Sequence, residues 1–119
     1  MREILFKAKR WSDGKWVYGD LNQLQDSTII HWYNNGCRVA DEVAPSTVCE
    51  YTGLKDKNGK RIFEGDNVYD PHENSIYTVE WNENNAIFQM AHDWHRRSIE
   101  PVYYCEIIGN IHDGEGDND

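Results

Sequence analysis

The sequence predicts a mainly β protein with little helix, organised as two groups of strands on either side of a turn-rich centre at residues 51–68. Three observations carry this. Short runs rich in β-branched and aromatic residues, such as Thr28-Ile29-Ile30-His31-Trp32-Tyr33 and Ile76-Tyr77-Thr78-Val79-Glu80-Trp81, have the composition of strands. Clusters of Gly, Asn and Asp separate them at close intervals, and these residues tolerate the backbone conformations of tight turns. No stretch reads as a helix of ordinary length.

In chain order, residues 3–11 and 15–21 are β-rich and flank Ser12-Asp13-Gly14, a composition suited to a hairpin turn. In a regular second strand Trp16 and Tyr18 share one face and Val17 the other, and core filling is the expectation for the aromatic pair. After a polar connection at 22–27, the strand at 28–33 ends at Asn34-Asn35-Gly36, and 37–41 is expected to return antiparallel to it. Pro45-Ser46-Thr47 breaks the pattern, with room for a brief helical turn between 41 and 47.

The centre reads Tyr51-Thr52-Gly53-Leu54-Lys55-Asp56-Lys57-Asn58-Gly59-Lys60-Arg61-Ile62-Phe63-Glu64-Gly65-Asp66-Asn67-Val68. Asn58-Gly59 marks a reversal, Ile62 and Phe63 a buried pair, and Gly65 a second bend. Asp66 is placed to accept backbone N–H bonds before a strand begins at Val68. Beyond it, 67–70 lead through Pro71-His72-Glu73-Asn74 into 76–81, where Tyr77, Val79 and Trp81 fall on one face. Asn82-Glu83-Asn84-Asn85 is the next turn, 86–90 return, and a polar loop runs through His92 and His95 to Ser98. A last strand spans 102–111, interrupted at Gly109. These strands approach what a small five-stranded barrel requires. The divisions are therefore an N-terminal β subdomain at 1–50, a barrel subdomain at 51–111 and a disordered acidic tail at 112–119.

The central motif closely resembles that of the YopX-like proteins of phages and prophages. Arg2-Glu3-Ile4-Leu5-Phe6-Lys7 and Gly14-Lys15-Trp16-Val17-Tyr18-Gly19 resemble the family's opening, and Glu106-Ile107-Ile108-Gly109-Asn110-Ile111 its closing strand. Ala8 and Glu50 stand where many members carry Gly and Gln. The resemblance implies an SH3-like barrel portion and self-association, and it brings no established activity and no catalytic residues.

Composition bounds the function. At 119 residues the chain is long enough for one domain with a real core, and five Trp and seven Tyr supply large apolar surfaces. Hydrophobic content of 39% leaves some aromatics partly exposed. A net charge of −9 disfavours binding to a phosphate backbone, which depends on clustered Lys and Arg. The basic residues do group at Arg2, Lys7, Lys9 and Arg10, at Lys55, Lys57, Lys60 and Arg61, and at Arg96 and Arg97. Solvated strand edges and turns are the expectation for all three groups. Cys37, Cys49 and Cys105 show no paired spacing, which points to a reduced compartment. No apolar run is long enough to cross a bilayer and no leader is visible, so the expected location is the cytoplasm of a host cell.

Candidate chemistry is sparse. His92-Asp93-Trp94-His95 offers nitrogen and oxygen donors for a divalent ion, but on a loop without a third ligand it reads as an ordinary exposed segment. His31 reads as a surface or hydrogen-bonded residue. The carboxylates in 113–119 alternate as in a calcium loop, yet no later acid or flanking helix follows within the sequence. Glu64 and Asp66 resemble paired acid and base groups, although beside Gly65 a structural role suffices. No catalytic, cofactor-binding or metal residue is assigned. The expectation is a non-enzymatic module, without cofactor, that binds a phage or host protein or another copy of itself. The rivals are a nucleic-acid-related module or DNA mimic, and a metal-dependent enzyme at His92 and His95.

Overall fold

A computed structural model describes residues 3–114. Among them the regular structure is eleven strands and two short 3-10 turns, arranged in two antiparallel sheets. The mainly β expectation holds. The chain divides into two compact units, the first ending at Glu50 and the second spanning Tyr51–Asp113.

The first unit contains β1 (Phe6–Lys9), β2 (Trp16–Gln23), β3 (Thr28–Asn34), β4 (Cys37–Glu42) and the start of β5 (Cys49–Lys55). Strand β1 pairs with β2 from Phe6↔Gly19 to Lys9↔Trp16, which closes the expected N-terminal hairpin. Strand β2 pairs with β3 from Asp20↔His31 to Gln23↔Thr28, and β3 with β4 from Ile29↔Glu42 to Asn34↔Cys37. The β3–β4 turn is Asn35-Gly36, with φ of 52° and 81°, the left-handed values that a tight two-residue hairpin needs. On its other side β1 meets Cys49 and Glu50 of β5. Pro45–Thr47 forms a 3-10 turn, where the Thr47 hydroxyl accepts the Lys9 N–H at 2.9 Å and donates to the Ala44 carbonyl at 2.7 Å.

Ala8, Val17, Ile30 and Val43 are the core of this unit, flanked by Phe6, Leu21, Trp32 and Val48. Burial of each of the larger side chains, Val17, Ile30 and Val43, contributes roughly 1.5–3 kcal/mol. Alternation along β2 therefore turns Val17 inward, and Trp16 and Tyr18 do not fill the core as expected. Tyr18 is exposed, and the Lys7 Nζ stands 4.4 Å from the Trp16 ring centroid with that of Lys9 at 5.6 Å. Lys7 and Lys9 are buried, which corrects their reading as solvated edge residues. Their stems lie on an interior strand of the sheet, between β2 and β5, while the ammonium groups sit over an indole face.

The second unit contains the rest of β5, β6 (Arg61–Phe63), β7 (Asp66–Asp70), β8 (Ser75–Asn82), β9 (Ile87–His92), β10 (His95–Ser98) and β11 (Glu106–Asn110). Its core is Ile62, Val68, Tyr77, Val79, Phe88, Met90, Val102 and Cys105. The reversal at Asn58-Gly59 is present between β5 and β6 and is closed by Asp56, whose Oδ1 accepts the Asn58 and Lys60 N–H groups, each at 2.9 Å. The Asp56 Oδ2 accepts the Ile107 N–H at 3.0 Å, so one buried carboxylate ties this hairpin to β11. Asp66 likewise accepts the Phe63 N–H at 2.8 Å, as expected, and also the Asn110 side-chain amide at 2.8 Å.

Three expectations are corrected in this unit. The segment 92–98 is not a loop: Asp93 and Trp94 turn the chain tightly, and His95↔His92 through Ser98↔Gln89 pair as a hairpin. The strand expected over 102–111 begins only at Glu106, because Glu100–Tyr104 is a 3-10 turn opened by Pro101, whose lack of an N–H suits a first turn. The sheet order is β10-β9-β8-β7-β11, which leaves β10 and β11 as its two ends, so the described residues form no closed barrel. The acidic tail at 115–119 lies outside the described residues. His112 and Asp113, expected in that tail, are held in a turn in which the Asn110 Oδ1 accepts the His112 N–H and the Asp113 Oδ2 accepts the Asn110 N–H, both at 2.9 Å.

Candidate functional site

An open cleft of about 480 Å3 in the second unit is lined by Glu73, Ser75, Tyr77, His92, His95, Arg96 and Arg97. Strand alternation builds it. Tyr77 on β8 turns its ring into the core and its hydroxyl outward, while the β9–β10 hairpin presents His92, His95 and Arg97.

Arg97 organises the cleft. Its Nη1 donates to the Asp70 Oδ2 at 2.9 Å, stands 3.0 Å from the Glu73 Oε2, and lies 3.4 Å from the Tyr77 hydroxyl oxygen. The guanidinium also sits 5.2 Å from the Tyr77 ring centroid, and Tyr77 donates to Glu73. Burial alone raises the pKa of Asp70. Its bonds from the Glu73 and His72 N–H groups and from Arg97 overcome that and hold the carboxyl below its ordinary range. Bonding to Glu73 holds the Tyr77 hydroxyl above the usual tyrosine value. The Tyr77 bond, together with the neighbouring Glu73 charge, raises Arg97 further.

His92 and His95 are cross-strand partners and both line the cleft. The His92 Nδ1 is 3.0 Å from the Ile76 carbonyl oxygen. A carbonyl can only accept, so Nδ1 carries the proton and Nε2 presents its lone pair whenever the ring is neutral. That Nε2 lies 3.7 Å from the Asp93 Oδ2, and the ring packs edge-on to Tyr77. Among the described residues no three His, Cys, Asp or Glu side chains are gathered closely enough to hold a metal ion.

The other candidate residues are drawn into structural roles. Asp66 is almost fully buried and hydrogen-bonded to the Phe63 N–H and the Asn110 amide, and Glu64 lies half-buried in the adjoining turn. His31 is half-buried, and its Nδ1 is enclosed without a hydrogen-bond partner. Several of the described basic residues have acidic or aromatic partners close by. The Arg10 Nε lies 2.8 Å from Asp13 and its Nη1 3.2 Å from Asp41, the Lys57 ammonium is 3.8 Å from Glu106, Arg61 lies over the Tyr51 ring, and Arg96 binds Glu80 at 3.0 Å. The Arg10 bond, reinforced by the Lys15 N–H, lowers the Asp13 pKa to about 2. A smaller hollow of about 210 Å3 in the first unit is bordered by Arg10, Trp11 and Thr47.

The sequence does not mark Asp70, Glu73, Tyr77 and Arg97 as members of one site. The Asp70-Pro71 step announces a turn with a capping aspartate, but nothing local announces that Arg97, distant along the chain, completes it.

Two antiparallel sheets, the second carrying a polar, charge-paired cleft, define a small all-β protein. The sequence model of the YopX protein family matches residues 5–115, so the chain belongs to that family. No curated protein shows significant similarity to it.

Proposed function

We propose that the chain is a non-catalytic accessory protein of phage or prophage type that works in the cytoplasm by pairing the open edge of β4 with a strand from a second copy or from another protein. The observation that carries this reading is the state of that edge. Strand β4 pairs with β3 through six consecutive residues without a bulge, contains no proline, and is the terminal strand of its sheet. Such an edge is a template for an added strand unless it is blocked. Because Asn34↔Cys37 closes a two-residue hairpin, alternate residues on β4 direct their backbone groups outward, and these are Arg38, Ala40 and Glu42. The Glu42 carbonyl already accepts the Trp11 N–H at 3.1 Å, which leaves Arg38 and Ala40 to receive a partner. Tyr33, 67% exposed and opposite Arg38, flanks the same stretch.

The second unit is read as an opened SH3-like barrel. Strand β11 returns to lie beside β7, the first long strand after the central motif, as a small curled five-stranded sheet requires. No helix among the described residues is long and apolar enough to cross a membrane, which is compatible with a cytoplasmic site of action.

Size-exclusion chromatography with light scattering tests the proposal. The full chain is expected to run larger than a monomer, and A40P, which removes one outward N–H and no bond to β3, is expected to run as a monomer with an unchanged circular dichroism spectrum. A strictly monomeric wild type whose capture of phage and host proteins is unaffected by A40P would overturn it.

A further inference from the structure

We propose that the β9–β10 hairpin is a surface site for a divalent transition metal of the Zn2+, Ni2+ or Cu2+ kind, with His92 Nε2 and Asp93 as its preformed donors and His95 as the closing ligand. The site is separate from the β4 edge and does not depend on it.

Four features support this. First, the His92 Nδ1–H is donated to the Ile76 carbonyl at 3.0 Å. That is the outer-shell bond that fixes a ligating imidazole's tautomer and aims the opposite nitrogen. Second, that nitrogen and the Asp93 Oδ2 are 3.7 Å apart. Two donors each about 2.1 Å from one metal stand roughly 3.0–3.5 Å apart at ordinary coordination angles, so a few tenths of an ångström of side-chain adjustment lets them share an ion. Third, His95 is the cross-strand partner of His92. Side chains of paired residues leave the same face with Cβ atoms roughly 4.5–5.5 Å apart, within reach of a common ion. Fourth, the two nearby cations are already answered: Arg96 binds Glu80, and Arg97 binds Asp70 and Glu73. An incoming cation therefore meets no unpaired positive charge from either of them.

The arrangement is short of one motion. The three side chains do not yet enclose an ion, and the His95 ring lies 6.1 Å from the ring of Trp94, its neighbour at the hairpin tip. His95 is exposed, and rotamer changes of exposed side chains are fast. With two imidazoles and one carboxylate, the remaining positions fall to water. Imidazole nitrogen selects zinc, nickel and copper over magnesium and calcium.

The test is calorimetry on the untagged full chain at neutral pH with Zn2+, Ni2+ and Mg2+, together with electron paramagnetic resonance of the Cu2+ form. Saturable heat is expected with Zn2+ and Ni2+ and none with Mg2+, and nitrogen hyperfine structure is expected with Cu2+. H92A and H95A should each lose most of the heat and simplify the nitrogen pattern, and D93N should weaken binding less. Because the chain holds other histidines, H72A/H112A serves as the counter-variant and should bind as wild type. Absence of heat in the wild type, or heat that survives H92A/H95A, would overturn the proposal.

Discussion

Gly19 lies directly against the backbone of His31: a Cβ placed on Gly19 would stand 2.2 Å from the His31 carbonyl oxygen and 3.2 Å from the Ile30 Cγ2. Strands β2 and β3 meet here, just before Asp20↔His31 begins their ladder, and a side chain of any size would push them apart. G19A is therefore expected to destabilise the first unit by about 1–3 kcal/mol, the usual range for overpacking against neighbours that cannot relax. The urea midpoint should fall accordingly. At Gly36 a Cβ meets nothing within 4 Å, so G36A should show only the smaller cost of a left-handed backbone.

The contrast shows what local sequence conveys. Asn35-Gly36 and Asn58-Gly59 were legible as reversals because a turn is decided by the residues in it. Gly19 was not, because its necessity comes from β3. Hairpins, the position of the central motif and the caging of Asp66 followed from neighbouring residues. The burial of Lys7 and Lys9, the opening of the barrel and the bond from Arg97 to Asp70 depend on pairings between distant segments, which composition does not encode. The His92 and His95 hairpin was missed for another reason. Its turn is Asp93-Trp94, with Asp93 at a φ of 53°, and contains none of the glycine that usually signals such a reversal. Of the candidate site, the two histidines were visible and the cleft that displays them was not.

Asp56 joins three backbone N–H groups from two separate segments, those of Asn58, Lys60 and Ile107. Removing the carboxylate leaves three part-buried bonds unmade, at a cost on the order of 1–2 kcal/mol. D56A should lower the unfolding midpoint and speed amide exchange at Ile107 as well as at Lys60. D56N, which keeps one acceptor oxygen, should fall between D56A and wild type. Exchange that changes only within the 56–60 turn would show that the link to β11 carries no load.

Asp56 and Asp70 also set the acid limb of stability. Burial raises both carboxyls, but backbone bonds, with Arg97 added at Asp70, more than reverse this, so both are depressed in the folded state. A depressed carboxyl contributes stability that is present above its unfolded value, near 4, and is lost as pH falls through the folded value. Urea midpoints should therefore hold above about pH 5 and decline steeply below about 4. R97M strands the Asp70 charge in a site that is fully closed to solvent and should cost about 3 kcal/mol at neutral pH. Its decline in acid should be shallower, because Asp70 then gains from protonation. An acid limb as steep as that of the wild type would contradict this account.

The three cysteines divide by burial, and a thiol reagent should read that division. Cys37 is exposed at the start of β4, whereas Cys49 and Cys105 are buried. Desolvation, helped by the nearby Asp70 charge, pushes the Cys105 thiol up to about 11. The reactive species is the thiolate, so a buried thiol held neutral is doubly protected. In native buffer one equivalent of an aromatic disulfide reagent should react quickly, and the other two only after denaturant is added. The same shift has a consequence for stability, with its sign opposite to that of the aspartates. A thiol whose folded pKa is raised contributes stability below its unfolded value, and that contribution is lost as pH rises toward the folded value of about 11. Urea midpoints should therefore soften above about pH 9, and C105A should soften less, because it has no thiol to ionise on unfolding. Rapid labelling of all three cysteines in native buffer would mean that the core around Val102 and Cys105 opens far more readily than its packing implies.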